Sequence, residues 1–204
     1  PYILQIDAHT RFAARWDARY IDMLESTESE LPVLTTYPAR YSLDSDGEAV
    51  YDIQAGTKQL YVSEVRPDLT TLQRTTEPPD LSRPGPSPTI AAGQIFARGN
   101  FCRDIDYDPE IYFAGEEISL AARAFTSGYD LYYPTETLIW HLYDHDQPKH
   151  WDDHSGHPVA HAAAVARLRT LFQGDATTLG RFGLGSKRSL VEFENFADID
   201  LGAN

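Results

Sequence analysis

The stretch Tyr2-Ile3-Leu4-Gln5-Ile6-Asp7-Ala8-His9 decides how the rest of the chain is read. Its first five residues form a short, mostly apolar run of the length and make-up of a buried central strand. Asp7 and His9 follow at once, two residues apart, where the side chains of an extended segment point to the same side. In open α/β sheets, ligands collect beyond the carboxyl ends of the strands. A carboxylate and an imidazole in that place can reach one cation, and a mixed oxygen and nitrogen donor set suits Mn2+ or a similar ion. A strand-ending turn followed by a surface histidine reads the same way, so the meaning of Asp-x-His depends on what lies downstream.

Downstream, Phe12, Trp16, Tyr20 and Leu24 recur every four residues and predict a helix with one apolar face. Strands are expected at residues 33–37, 60–63, 89–97, 131–133 and 138–143, with turns at 42–47, rich in Asp, Ser and Gly, and at Pro134. Residues 66–88 hold six prolines and little periodicity, and read as a long loop. Residues 116–126 read as a helix with Ile118, Ala121, Ala122 and Phe125 on one side, closed by Gly128 in a left-handed cap. An Ala-rich helix is expected at 158–172, with Pro158 at its first position. The closing segment, 179–201, is expected to pack on the outside. The fold class is α/β, a mixed sheet flanked by helices.

Composition narrows the function. Hydrophobic residues make up 42% of the 204, as in a globular chain. The formal net charge of -14 argues against nucleic acid, whose binding needs clustered Lys and Arg. An anionic ligand needs help against that field, and a bound divalent cation supplies it. Cys102 is the only cysteine, so no intrachain disulfide and no Cys-x-x-Cys zinc site can form, and a reducing, cytoplasmic setting is expected. No stretch approaches the roughly 20 apolar residues of a membrane span, and no signal peptide is expected. A strand that begins at the second residue reads as the start of a piece of a longer domain.

Two further segments carry chemistry. In Gly115-Glu116-Glu117 both carboxylates fall in the first turn of a helix, where the dipole favours them. They serve there as charge compensation, or one points into a cleft and accepts hydrogen bonds from sugar hydroxyls. His141 lies in the apolar strand Leu138-Ile139-Trp140-His141-Leu142-Tyr143, as a hydrogen-bonded core residue or as a metal ligand. His145, His150, His154, His157 and His161 crowd a polar stretch with Asp144, Asp146, Asp152 and Asp153. The four-residue spacings of His150 and His154 and of His157 and His161 would suit a second metal site. The absence of His-Glu-x-x-His and the all-round polarity favour a solvated loop. Tyr143 and Trp151 stack on a sugar or base, or pack. Phe96, Phe101 and Phe113 are expected in the core, and Tyr107-Asp108-Pro109 in a turn.

The series Asp7-Ala8-His9, Tyr107-Asp108-Pro109, Gly115-Glu116-Glu117-Ile118-Ser119-Leu120-Ala121-Ala122-Arg123, Gly128-Tyr129-Asp130, Pro134 and Trp140-His141 resembles the GlcNAc-transferases that modify hydroxyproline on a ubiquitin-ligase subunit in protists. Gly183-Leu184-Gly185-Ser186-Lys187-Arg188-Ser189-Leu190 resembles that family's C-terminal segment. A more distant likeness is to the mucin-type polypeptide GalNAc-transferases. The resemblance covers nearly the whole chain, and its motifs are short singly and specific jointly.

It implies a GT-A fold, a UDP-sugar donor (UDP-GlcNAc first), a divalent cation (Mn2+, or Mg2+) and transfer with retention to a hydroxyl on a protein or glycan. Asp7 and His9 match the family's metal motif and His141 its third ligand. Ala8, Trp140 and Tyr143 beside them are expected at the donor. Glu116 matches a residue that holds the donor sugar. Glu117, the second candidate catalytic carboxylate, stands where the mucin-type relatives carry Asn. The tyrosine-to-aspartate stretch 143–153, and at its widest 143–157, is expected to close as a lid. In that fold uracil and ribose are held by a half of the domain upstream of the metal motif, which is expected to be missing here. A cation bridging the phosphates would neutralise the charge of the leaving group, and nearby carboxylates would favour an oxocarbenium-like transition state. A non-catalytic fragment of the same fold and a His/Asp metallohydrolase stand as rival readings.

Overall fold

The computed structural model describes residues 1–143, 152 and 155–202. In chain order the elements are β1 (Tyr2–Ile6), β2 (Thr10–Phe12), α1 (Trp16–Glu25), β3 (Pro32–Thr35), β4 (Ala39–Leu43), β5 (Ala49–Tyr51), β6 (Gln59–Val65), β7 (Thr71–Thr76), β8 (Gly85–Pro86), β9 (Gln94–Arg98), α2 (Phe101–Asp104), α3 (Glu116–Thr126), β10 (Asp130–Tyr133), β11 (Ile139–Leu142), α4 (His157–Gln173), a 3-10 segment (Ala176–Phe182) and α5 (Leu190–Ala197).

They build two mixed sheets and a hairpin. The first sheet runs β1-β9-β3-β10-β8, the second β2-β11-β4-β5, and β6 pairs with β7. Within the first, β3 and β10 are parallel; within the second, β4 and β11 are parallel. The chain therefore crosses from the first sheet to the second three times, at residues 7–9, 36–38 and 134–138. These crossings line up along one seam, and the seam positions the site.

β1 is a strand as expected, but it lies at the edge of its sheet and not in the middle. Tyr2 is 38% and Ile6 37% exposed. The apolar run has another cause: Ile3 packs on one core cluster and Leu4 on the other, so both faces of the strand are covered. Phe12 falls on β2, not on the helix, yet it keeps the four-residue rhythm by contact, its ring 4.9 Å from that of Trp16.

Residues 66–88 are not one loop. They contain β7, which pairs antiparallel with β6, and the short β8. Thr71-Leu72-Gln73-Arg74-Thr75-Thr76 has one strongly apolar residue, so hydrophobic alternation cannot reveal it; its β-branched threonines are the remaining signal. The strand expected at 89–97 starts only at Gln94.

Helix α3 has the bounds its apolar periodicity set, and Gly128 beyond it has φ 97°. The larger core cluster gathers around α3 and includes Ile118, Leu120, Phe125, Leu168 and Leu171. The closing segment belongs to this core and not to the outside. Phe193 and Leu201 are fully buried, and the rings of Phe193 and Phe196 lie 5.6 and 5.0 Å from that of Phe125. Its helix starts on a capping box: the hydroxyl of Ser189 accepts from the Glu192 N–H while the Glu192 carboxylate accepts from the Ser189 N–H.

Tyr107-Asp108-Pro109 is a turn, with the Ile111 N–H donating to the Asp108 carbonyl. Arg167 of α4 donates to the buried Asp108 carboxylate at 2.7 Å. The buried Arg123 of α3 donates to the Asp106 carbonyl at 2.7 Å, and its guanidinium faces the Phe182 ring. These bonds fasten the approach to α3 on one side and α4 on the other. Among the described residues no helix is long and apolar enough to cross a membrane.

Candidate active site

Asp7 leaves β1 at the first crossing. The Thr10 hydroxyl donates to the Asp7 carbonyl at 2.7 Å and closes the turn, which His9 completes with φ 58°. The Asp7 carboxylate lies against Gly93, where a Cβ would stand 2.8 Å from Oδ2. A Cβ at this position would push the carboxylate aside.

Opposite Asp7 the chain reaches α3 through a left-handed run, Phe113 with φ 55° and Gly115 with φ 93°. Gly115 is required for a second reason: a Cβ on it would stand 2.4 Å from Leu168 Cδ1 of α4. The tight approach sets Glu116 and Glu117 at the rim of a cavity of about 380 Å³ that Asp7 also lines. Its remaining wall includes Tyr37 from the second crossing, Tyr143 after β11, Phe113, and Arg66, Thr70 and Thr71 from the β6–β7 hairpin.

The two glutamates differ. The Glu117 carboxylate accepts from the Ala92 N–H at 2.8 Å and from Gln73 Nε2 at 2.6 Å. The Glu116 side chain takes no hydrogen bond from the described residues in the way Glu117 does, and it lines the open space. Burial pushes the Glu117 carboxyl up to about 7, with help from the charges of Glu116 and Asp7 and against the pull of its two N–H donors. Burial and then the charge of Asp7 raise Glu116 as well. Burial holds the Tyr143 and Tyr107 phenols at about 12, and Asp7 adds to both. Carboxylates crowd this cavity, and among its described lining residues Arg66 is the one cation. A bound divalent cation would relieve that crowding.

The other expected ligands lie beside the cavity. The Leu142 N–H donates to the His9 carbonyl at 3.3 Å, and Thr10 pairs with His141 across β2 and β11, so the two histidine backbones are neighbours. His141 Nδ1 is buried and has no hydrogen-bond partner among the described residues, and its ring lies 4.6 Å from that of Tyr143. Tyr143 in turn donates to the Pro38 carbonyl at 2.9 Å. An orphaned imidazole nitrogen and an oxygen donor on a glycine floor are the groups that a Mn2+-like ion takes. As they lie, no three His, Cys, Asp or Glu side chains among the described residues are gathered closely enough to hold a metal. The donor chemistry fits an ion; the side chains are not drawn together around one.

Ala8 and Trp140 do not line the cavity. Trp140 turns to the β4–β5 hairpin, its ring 5.3 Å from Tyr51 and its indole N–H donating to the Asp52 carbonyl at 3.3 Å. Phe96 and Phe101 are core residues as expected, each 3% exposed, whereas Phe113 is 53% exposed at the cavity. Its departure from the core follows from the left-handed backbone before α3, which Gly115 signalled. Arg66, Thr70, Thr71 and Gln73 escaped sequence reasoning because they sit in the hairpin hidden within the proline-rich stretch. His145, His150, His154, Trp151 and nearly all of the expected lid lie outside the described residues. His157 and His161 begin α4; the first faces the Tyr112 ring at 5.5 Å and the second approaches Asp68 Oδ2 at 3.6 Å.

Comparison with known proteins follows the same lines. The sequence profile of the family described as Glycosyltransferase (GlcNAc) matches residues 1–203. No curated protein sequence matches the chain. Among solved structures, the crystal structure of GalNAc-T7 with UDP, GalNAc and Mn2+ matches over 97% of this chain with a TM-score of 0.51 at 13% identity. That likeness shows the fold, a mixed α/β arrangement of the GT-A type. This chain spans 39% of the length of that one.

Proposed function

The chain belongs to the glycosyltransferase (GlcNAc) family, and from that premise we propose that it is the metal-binding and acceptor-side part of an enzyme that moves GlcNAc from UDP-GlcNAc to a hydroxyl on a protein or glycan, with retention of configuration. The observation that carries the proposal is that Asp7 and Glu116, far apart in sequence, line one cavity. The presence of UDP, GalNAc and Mn2+ in the GalNAc-T7 structure supports it.

In this reading Asp7, His9 and His141 hold a divalent cation, Mn2+ before Mg2+. When bound, the ion supplies the positive charge that the departing diphosphate needs. Arg66, rooted in a tight turn by the Thr70 carbonyl that its N–H donates to at 2.9 Å, offers a second positive charge to the same anion. Glu116, without a donor among the described residues, accepts from sugar hydroxyls. Phe113 presents an exposed ring to the apolar face of the sugar. Asp7 and Glu116 bring negative charge to the cavity, which favours a reacting carbon that gains positive character. A reducing, cytoplasmic setting belongs to the same proposal.

The experiment is turnover of UDP-GlcNAc by the full-length protein. Release of UDP should require Mn2+ and fall about a hundredfold or more in Asp7→Asn and in His9→Ala. Release that is indifferent to chelation, or undiminished in Asp7→Asn, would overturn the proposal.

A further inference from the structure

We propose that Glu117 is a positioning residue, which acts through the backbone of residues 91–93 to set the carboxylate of Asp7, and not an acid or base of the reaction. The inference rests on the reading of Asp7 as a cation ligand and deepens it.

The segment is held from several sides. The Ala92 N–H donates to Glu117 Oε1 at 2.8 Å, and the Ala92 carbonyl accepts from Gln5 Nε2 at 2.8 Å. The Ala91 N–H donates to the Thr35 hydroxyl at 2.9 Å. Gln73 Nε2 donates both to the Ile90 carbonyl at 3.1 Å and to Glu117 Oε2 at 2.6 Å. Glu117 thus joins the hairpin, through Gln73, to the Ala92 backbone. The next residue is Gly93, against which the Asp7 carboxylate lies. The path of residues 91–93 therefore bounds the space open to that carboxylate on one side.

Both oxygens of Glu117 accept from N–H donors, one from Gln73 and one from Ala92, so the site is built for an acceptor at each end of the group. Glutamine there must turn an NH2 group toward one of the two donors and lose that bond. Glu116, by contrast, has no such ties among the described residues and is the carboxylate left for substrate. Thr35 supplies an independent lever: it is fully buried, lies off the cavity, and anchors the same segment.

The test uses the full-length protein carrying Glu117→Gln, Thr35→Val or Glu116→Gln. Amide hydrogen exchange at Ala92, half-saturating Mn2+ and kcat at saturating Mn2+ are read for each. In Glu117→Gln the Ala92 amide should exchange about tenfold faster and the Mn2+ requirement should rise severalfold, with kcat at saturating Mn2+ nearly kept. Thr35→Val should move exchange and Mn2+ requirement in the same direction. Glu116→Gln should lower kcat and leave Ala92 exchange alone. Unchanged Ala92 exchange in Glu117→Gln, or loss of kcat about a hundredfold with an unaltered Mn2+ requirement, would overturn the proposal. If the unaltered protein shows no turnover, the transferase reading fails by itself, and exchange together with Mn2+ binding measured by electron paramagnetic resonance still decides the role of Glu117.

Discussion

Phe113 and Glu117 are the residues at which the sequence alone misleads most. Phe113 reads as a core phenylalanine, yet it is half exposed on left-handed backbone at the edge of the cavity. Strain of this kind persists where surrounding structure imposes it, and it concentrates at ligand sites. Phe113→Ala should raise KM for donor or acceptor about tenfold while leaving thermal stability nearly unchanged, because little apolar surface is lost from the interior. Steady-state kinetics beside a thermal melt checks this; a large fall in melting temperature with KM intact would return Phe113 to a packing role. Glu117 makes a second prediction. Its carboxyl stands at about 7 in the folded chain against an ordinary 4.5, so between these values the folded state binds more protons than the unfolded one. The associated stability is whole below about pH 4.5 and is lost as pH rises through about 7, a difference on the order of 3 kcal/mol. Without divalent metal, the unaltered chain should therefore lose stability from pH 5 to pH 8 relative to Glu117→Gln, as followed by urea denaturation. Parallel pH curves for the two proteins would contradict the environment drawn for Glu117.

At the scale of elements, strongly periodic segments were readable and polar or irregular ones were not. Helix α3 follows from its apolar face and the glycine beyond it, because its buried side must repeat at helical spacing. The β6–β7 hairpin does not, since its strands pair through backbone while β7 carries mostly polar side chains. That hairpin brings Arg66, Thr70, Thr71 and Gln73 to the site, so the largest gap in the sequence reading of the fold is also the largest gap in its reading of the site. The tail hides its place in the core for a different reason. Its glycines suggest a peripheral strand of chain, but Gly185 fits flush against the end of α3, its N–H donating to the Thr126 hydroxyl at 2.8 Å. Glycine there lets the backbone approach closely and carries α5 into the core. Phe193→Ala should accordingly cost about 3–5 kcal/mol, seen as a lower denaturation midpoint with an unchanged urea dependence. A cost below about 1 kcal/mol would return the tail to the surface.

For the molecule as a whole, the element that decides the site is the seam between two sheets. Three crossings meet along it, and the first carries Asp7-Ala8-His9. The Asp-x-His pattern and the Gly-Glu-Glu helix start were legible because charged and imidazole side chains stand out at the ends of apolar runs. Their convergence was not, because it depends on the antiparallel pairing of β1 with β9, which sets Ile6 opposite Gln94, and on the bond from the Ala92 N–H to Glu117, neither of which a local pattern encodes. The net charge of -14 and the crowded carboxylates of the cavity point the same way, toward a cation as part of the working site. The most direct measurement is anomalous diffraction from crystals of the full-length protein soaked with Mn2+ and UDP. A single strong peak should lie within coordinating reach of Asp7, His9 and His141. A peak elsewhere, or none at this place under saturating Mn2+ and UDP, would contradict the account.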